Sequence, residues 1–154
     1  MTPLFKKLNF KNQAAILSVN HPDSFLPELK AMGELANVVE SIGKLKSISF
    51  AIVFATKQTE VNKAAEQIAK KAEDDAVLWF CYPKGTSKKY KCDFNRDNGW
   101  EKLGELGYEG VRAVAIDEDW SALRFRKAAY IKTMTRSFAM TKEGKKKVAA
   151  AKKK

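Results

Sequence analysis

Histidine occurs once in the 154 residues, as His21, and cysteine twice, as Cys81 and Cys92. One imidazole leaves no room for a histidine-rich metal site or a relay through several histidines. The cysteines stand eleven apart, a spacing that fits no metal or redox motif, and Cys81 lies in an apolar run where a thiol acts as a small hydrophobe, so both read as reduced and structural. The longest apolar runs, "FAIVFA" and "AVLWFCY", fall far short of the roughly 20 residues that span a bilayer. The lysines near the N-terminus are not followed by the apolar segment of a secretory signal. The expectation is a cytoplasmic protein without a membrane partner.

Glycine is missing where a Rossmann-type ligand site would need it. "VNHPDS" (19–24) contains none, so the close backbone approach used by a dinucleotide pyrophosphate, or by the methionine part of S-adenosylmethionine, is not provided. There is no G-x-S-x-G elbow and no G-x-x-x-x-G-K-[ST] loop, which leaves nucleophilic hydrolysis and P-loop chemistry unsupported. No cofactor and no metal is expected from motifs.

What the chain does have is a globular composition, 45% hydrophobic and 31% charged, and a length that suits one domain. The net charge is +11, but residues 142–154 hold seven lysines against one glutamate, a net +6 that leaves +5 for residues 1–141. The expected organisation is a single Rossmann-like domain, 1–141, followed by a disordered lysine-rich tail, 142–154, with no apolar face to dock. Such a tail serves either as a solubilising end or as a polyanion tether.

Along the chain, apolar strands alternate with helical periods. "AAILSVN" (14–20) reads as a strand, followed by a short helix capped by Ser24, carrying Leu26 and Leu29 and stopped by Gly33. "LANVVES" (35–41) makes a modest second strand, and "SISFAIVFA" (47–55) a strand covered on both faces. Val61, Ala64, Ala65, Ile68 and Ala69 recur at helical spacing, with Thr59 as N-cap and Glu60 in the first turn. A second buried strand, "AVLWFCY" (76–82), precedes a helix that opens at Asn98 with Glu101 three residues on, and ends at Gly107. "VRAVAID" and "SALRFRKAAYI" form a hairpin with Leu123 and Phe125 on one face and Arg124 and Arg126 on the other. The order predicts an α/β fold: a three-layer Rossmann-like sandwich, its sheet mostly parallel, with a C-terminal antiparallel hairpin.

"WFCYPKGTSKK", "FNRDNGW" and "VRAVAIDEDWSALRFR" together resemble the bacterial family called domain of unknown function 3052, over roughly residues 12–127. The resemblance implies a short Rossmann-like domain, similar in strand order to the methyltransferase scaffold, and brings no established activity or ligand. The N-terminal extension and the lysine-rich tail depart from that pattern.

Ligands of parallel α/β sheets bind outside the carboxyl ends of the strands, where "NHPDS", "ATKQT" and the basic loop 83–96 should meet. In that loop Lys84, Lys88, Lys89, Lys91 and Arg96 can neutralise phosphates, while Gly85, Thr86 and Ser87 allow close approach and offer hydroxyls. Arg96 and Asp97 can instead pair and cap the next helix. His21 beside Asp23 reads as a turn residue with a second reading as acid/base; Asp117, Glu118 and Asp119 read as a tight turn, with Asp117 the carboxylate for general-base work. Trp79 and Trp100 point into the core and Trp120 covers its end, while Arg124 with Arg126 can support a phosphate track. These readings favour a non-catalytic module that binds a phosphate-bearing small molecule or partner at 83–96. The alternatives are nucleic-acid association through loop and tail, and a divergent transferase on a methyltransferase-like scaffold.

Overall fold

Two runs without a polar face, residues 48–54 and 76–82, are stable as strands only when both their sides are covered. The computed structural model, which describes residues 1–94 and 98–131, places them side by side at the centre of one sheet. Its strands are β1 (Ala15–Val19), β2 (Asn37–Val39), β3 (Ile48–Phe54), β4 (Ala72–Pro83), β5 (Tyr108–Ala115) and β6 (Trp120–Lys127), in the spatial order β2-β1-β3-β4-β6-β5. The first four run parallel, and β6 runs against both β4 and β5. This is the predicted α/β sandwich with its C-terminal antiparallel hairpin.

Helices α1 (Pro3–Lys7) and α2 (Leu26–Met32) cover one face; α3 (Gln58–Ala69) and α4 (Glu101–Glu105) cover the other. Alternation along each strand feeds two cores. Leu17, Val53, Leu78, Phe80 and Phe125 meet Val61, Ile68 and Leu103, while Ile16, Phe50, Ile52, Phe54 and Trp79 meet Phe5, Leu29 and Met32. Each fully buried Phe or Leu contributes about 1.5–3 kcal/mol, so these two layers dominate the stability.

Trp79 and Trp100 lie in the core as expected, and Trp120 is 3% exposed at the core's end, its ring 5.1 Å from Phe54. Both cysteines are free thiols, and burial pushes Cys81 well up from its ordinary value.

Four local readings change. Helix α1 was not expected; Thr2 accepts the Phe5 amide at 3.2 Å and Pro3 opens the helix, so that Phe5 and Leu8 become fully buried anchors. Ser24 is not a cap, because residues Asp23–Phe25 form a 3-10 turn that runs directly into α2. Thr59 sits inside α3, whose first amides are met by carboxylates: Glu60 Oε1 accepts from Thr56 and Lys57 at 3.0 and 3.1 Å, and Asp93 Oδ1 accepts from Gln58 at 2.7 Å. Asn98 does not cap α4, which starts from Trp100 without a side-chain cap. At α3 a longer-range partner replaced the nearest polar residue.

Candidate functional site

In an open parallel sheet the ligand crevice lies where successive connections leave in opposite directions. Here β1 is flanked by β2 on one side and β3 on the other, so the crevice opens at the carboxyl ends of β1 and β3. The turn after β1 is made by Asn20 at φ 59, a left-handed conformation that asparagine tolerates and that lets the chain reverse without glycine. A cavity of about 630 Å3 opens beside it. Val19, Asn20, Glu40, Ser41 and Gly43 form its upper wall, and Glu60, Lys63 and Lys70 line it along α3. It exists because only a single 3-10 turn, Ile42–Lys44, joins β2 to β3, and Lys71 Nζ pins that short connection by donating to the Ile42 and Leu45 carbonyls at 3.1 and 2.8 Å.

His21 lies across the top of β1 and β2. Its Nε2 is 3.1 Å from Glu40 Oε1 and its Nδ1 3.0 Å from Ser18 Oγ. A carboxylate only accepts, so Nε2 carries the proton and, in the neutral ring, Nδ1 accepts from the Ser18 hydroxyl. The Ser-His-Glu chain is no nucleophile triad: Ser18 is fully buried and orients the ring, whereas the Glu40 side chain is 68% exposed and open to a ligand. Glu40 escaped the sequence reading because it lies nineteen positions from His21. The available signal was its place immediately after the second strand, where an acidic residue meets ribose hydroxyls in Rossmann sites.

The basic loop folds over the ends of β4 and β6. Lys84 N donates to the Asp119 carbonyl at 2.8 Å, Ser87 Oγ donates to Asp119 Oδ1 at 2.8 Å, and the Tyr90 ring rests 4.9 Å from Trp120. Ser87 is therefore committed to tying the loop to the β5–β6 turn. Lys84, Gly85, Thr86, Ser87, Lys91 and Cys92 line a second cavity of about 1170 Å3, with Lys88 and Lys89 exposed on the same loop. Burial holds the Cys92 thiol above its ordinary value, which disfavours the thiolate. Arg96 and Asp97, like the lysine-rich tail 142–154, lie outside the described residues.

Asp117 Oδ1 accepts the amides of Asp119 and Trp120 at 2.8 and 2.9 Å, closing the hairpin turn. The loops after β3 and β4 do meet, through Asp93 and Gln58, while His21 stands at the other cavity. No group of three or more metal-ligating side chains occurs among the described residues, and no helix among them is long and apolar enough to cross a membrane.

No family model matches the chain, nor does any curated protein. Solved structures do match in fold. A SAM-dependent methyltransferase from Aquifex aeolicus superposes with a TM-score of 0.55 at 15% identity, over 79% of this chain and 86% of that one. The precorrin-6y C5,15-methyltransferase of Geobacter metallireducens gives 0.51 at 8% identity, over 80% and 85%. The fibrillarin pre-rRNA processing protein of Methanococcus jannaschii gives 0.50 at 9% identity, over 76% and 67%. The chain thus has a methyltransferase-like fold; at these identities the likeness extends to the fold alone.

Proposed function

We propose that the protein is a divergent methyltransferase that binds a nucleoside-bearing molecule of the S-adenosylmethionine class in the cavity at the ends of β1 and β2. The observation that carries this reading is the cavity of about 630 Å3 beside the end of β1, on the β2 side of the crevice of a methyltransferase-like sheet, with the exposed Glu40 carboxylate at its rim. Three features fit such a ligand. The left-handed Asn20 turn brings backbone to the crevice without glycine, Glu40 offers acceptors for a ribose diol, and His21 holds Glu40 in place. A sulfonium-bound methyl is the electrophile that the bound molecule supplies. Direct displacement at that methyl needs alignment more than an activated protein nucleophile, so the chain's task is positioning.

The test is thermal stability of the full chain with S-adenosylmethionine, S-adenosylhomocysteine, ATP or inorganic phosphate. A native-state ligand at 100 times its Kd adds about 2.7 kcal/mol, which for a chain of this size raises Tm by several degrees. The adenosyl compounds should give that shift, and Glu40→Gln should cut their affinity about tenfold or more while leaving the unliganded Tm nearly unchanged. No shift with either adenosyl compound would sink the reading.

The cavity at the 83–94 loop favours a second reading, a non-catalytic module for a phosphate-bearing ligand held by Lys84, which lines it, and by Lys88 and Lys89, exposed on the same loop. A shift with ATP or phosphate that Lys88→Glu plus Lys89→Glu abolishes, and that Glu40→Gln leaves intact, would select it.

A further inference from the structure

Away from both cavities, the face that β6 and β5 turn toward α1 carries three arginines. Arg124 sits in register between Trp79 of β4 and Arg112 of β5, and Arg126 follows two residues on, pointing to the same side. Like charges directly opposite each other across a strand pair destabilise a sheet, so a row of this kind calls for compensation. The compensation present is partial. Arg126 forms a two-pronged pair with Asp75, Nε to Oδ1 at 2.8 Å and Nη2 to Oδ2 at 2.7 Å. Arg112 donates to a neutral acceptor, Asn9 Oδ1, at 3.1 Å.

Among the described residues Arg124 has no carboxylate of its own. Its Nε is buried without a hydrogen-bond partner there, and burial, followed by the charge of Arg126 and then that of Arg112, pulls its guanidinium below the ordinary value. Among the described residues the charges that reach it are Arg126, Asp75 and Arg112, while Glu109, the register partner of Arg126, is fully buried. The segment that carries Asn9 adds exposed Lys6, Lys7 and Lys11. A half-buried guanidinium flanked by two others is costly unless an anion completes it. The two cavities described above do not include these arginines. A row of cations that runs from exposed Arg112 to half-buried Arg124 and Arg126 suits a polymer that places a phosphate on each.

We propose that the arginine row Arg112, Arg124 and Arg126, together with the Lys6–Lys11 segment, is a binding face for the phosphodiester backbone of a single-stranded nucleic acid. Arg124 supplies the central contact and Arg112 the exposed one. The site is independent of the cavity beside Glu40, so either proposal can fail without the other.

The experiment measures fluorescence anisotropy of a labelled RNA strand of about 20 nucleotides, longer than common single-strand site sizes, titrated with the full chain across a salt series. A DNA strand of the same sequence separates backbone recognition from 2′-hydroxyl recognition. Arg112→Gln with Arg124→Gln should weaken binding about tenfold or more, and should flatten the slope of log K against log salt by about 1.4, at about 0.7 per phosphate contact. Its Tm should be equal or higher, since two repelling charges are gone. If the double variant does not fold, Arg112→Gln alone, at an exposed position, should flatten the slope by about 0.7. The proposal is overturned if the wild type binds neither strand at low salt, or if it binds only anionic vesicles. It is equally overturned if the arginine variants leave slope and affinity intact while Lys152→Ala, Lys153→Ala and Lys154→Ala together abolish binding.

Discussion

The parallel and antiparallel parts of the sheet place their polar groups differently. From β2 to β4, crossover connections carry helices over both faces, so polar chemistry gathers at the strand ends, where Asn20 and the His21-bonded Glu40 border a cleft. Between β5 and β6 a short turn closed by Asp117 makes the connection, no crossover is required, and charged side chains stand on the face itself. The difference is one of connection: a cleft forms where strands end beneath a crossover, and a charged face forms where a hairpin needs no cover.

The largest effect should come from the seam between the two parts. Trp79 in β4 pairs with Ile52 on one side and Arg124 on the other, is fully buried, and donates its indole N–H to the Leu8 carbonyl at 2.8 Å. Trp79→Ala should cost about 3–5 kcal/mol, measured by urea unfolding, and should loosen the segment that brings Asn9 to Arg112. A cost no larger than that of a surface substitution would show that the two parts do not depend on this side chain.

A medium effect compares one glycine from each part. Gly99, after the basic loop, has φ 93 and would place a Cβ 2.5 Å from the Phe94 Cβ; Gly107, entering β5, has φ 91 and open space around it. Alanine at either position bears the backbone strain, about 1–3 kcal/mol, and Gly99→Ala bears the clash in addition. Equal losses would mean that Phe94 yields freely, and that the loop end is as loosely packed as the turn.

Much of the fold could be read from the chain because its signals are local. The period of Val61, Ala64 and Ile68 and the alternation of Leu123, Arg124, Phe125 and Arg126 each describe one element, and both elements formed. The cap of α3 was misread because one of its partners is distant: the helix takes Asp93 from 35 residues away, where local reading pointed to Thr59. The site suffered from the same cause. His21 was visible as a lone histidine, but its bond to Glu40 depends on two parallel strands ending side by side, which no spacing in the sequence encodes. Ser87 looked like a free hydroxyl until the hairpin brought Asp119 to it.

The smallest effect separates charge from packing on the arginine face. The Arg126 hydrogen bonds, then desolvation acting in the opposite sense, then the Arg126 and Arg124 charges leave the Asp75 carboxyl below its ordinary value near 3.8. A depressed carboxyl contributes stability that is complete above the unfolded value and is lost as pH falls through the folded one. The pair is about one-third exposed on each side, so solvent screens it and the contribution at pH 7 should be only about 0.2–1 kcal/mol. Asp75→Asn should therefore be slightly less stable than the wild type at neutral pH, and the gap should close as pH falls from the ordinary carboxyl value through the lower folded one and the wild-type carboxyl protonates. Added salt should change the gap at neutral pH, because the variant lacks the carboxylate that Arg126 holds and leaves three arginines to repel one another. A gap that ignores both pH and salt would mean that Asp75 acts through the shape of β4, and that the charge on this face is already balanced without it.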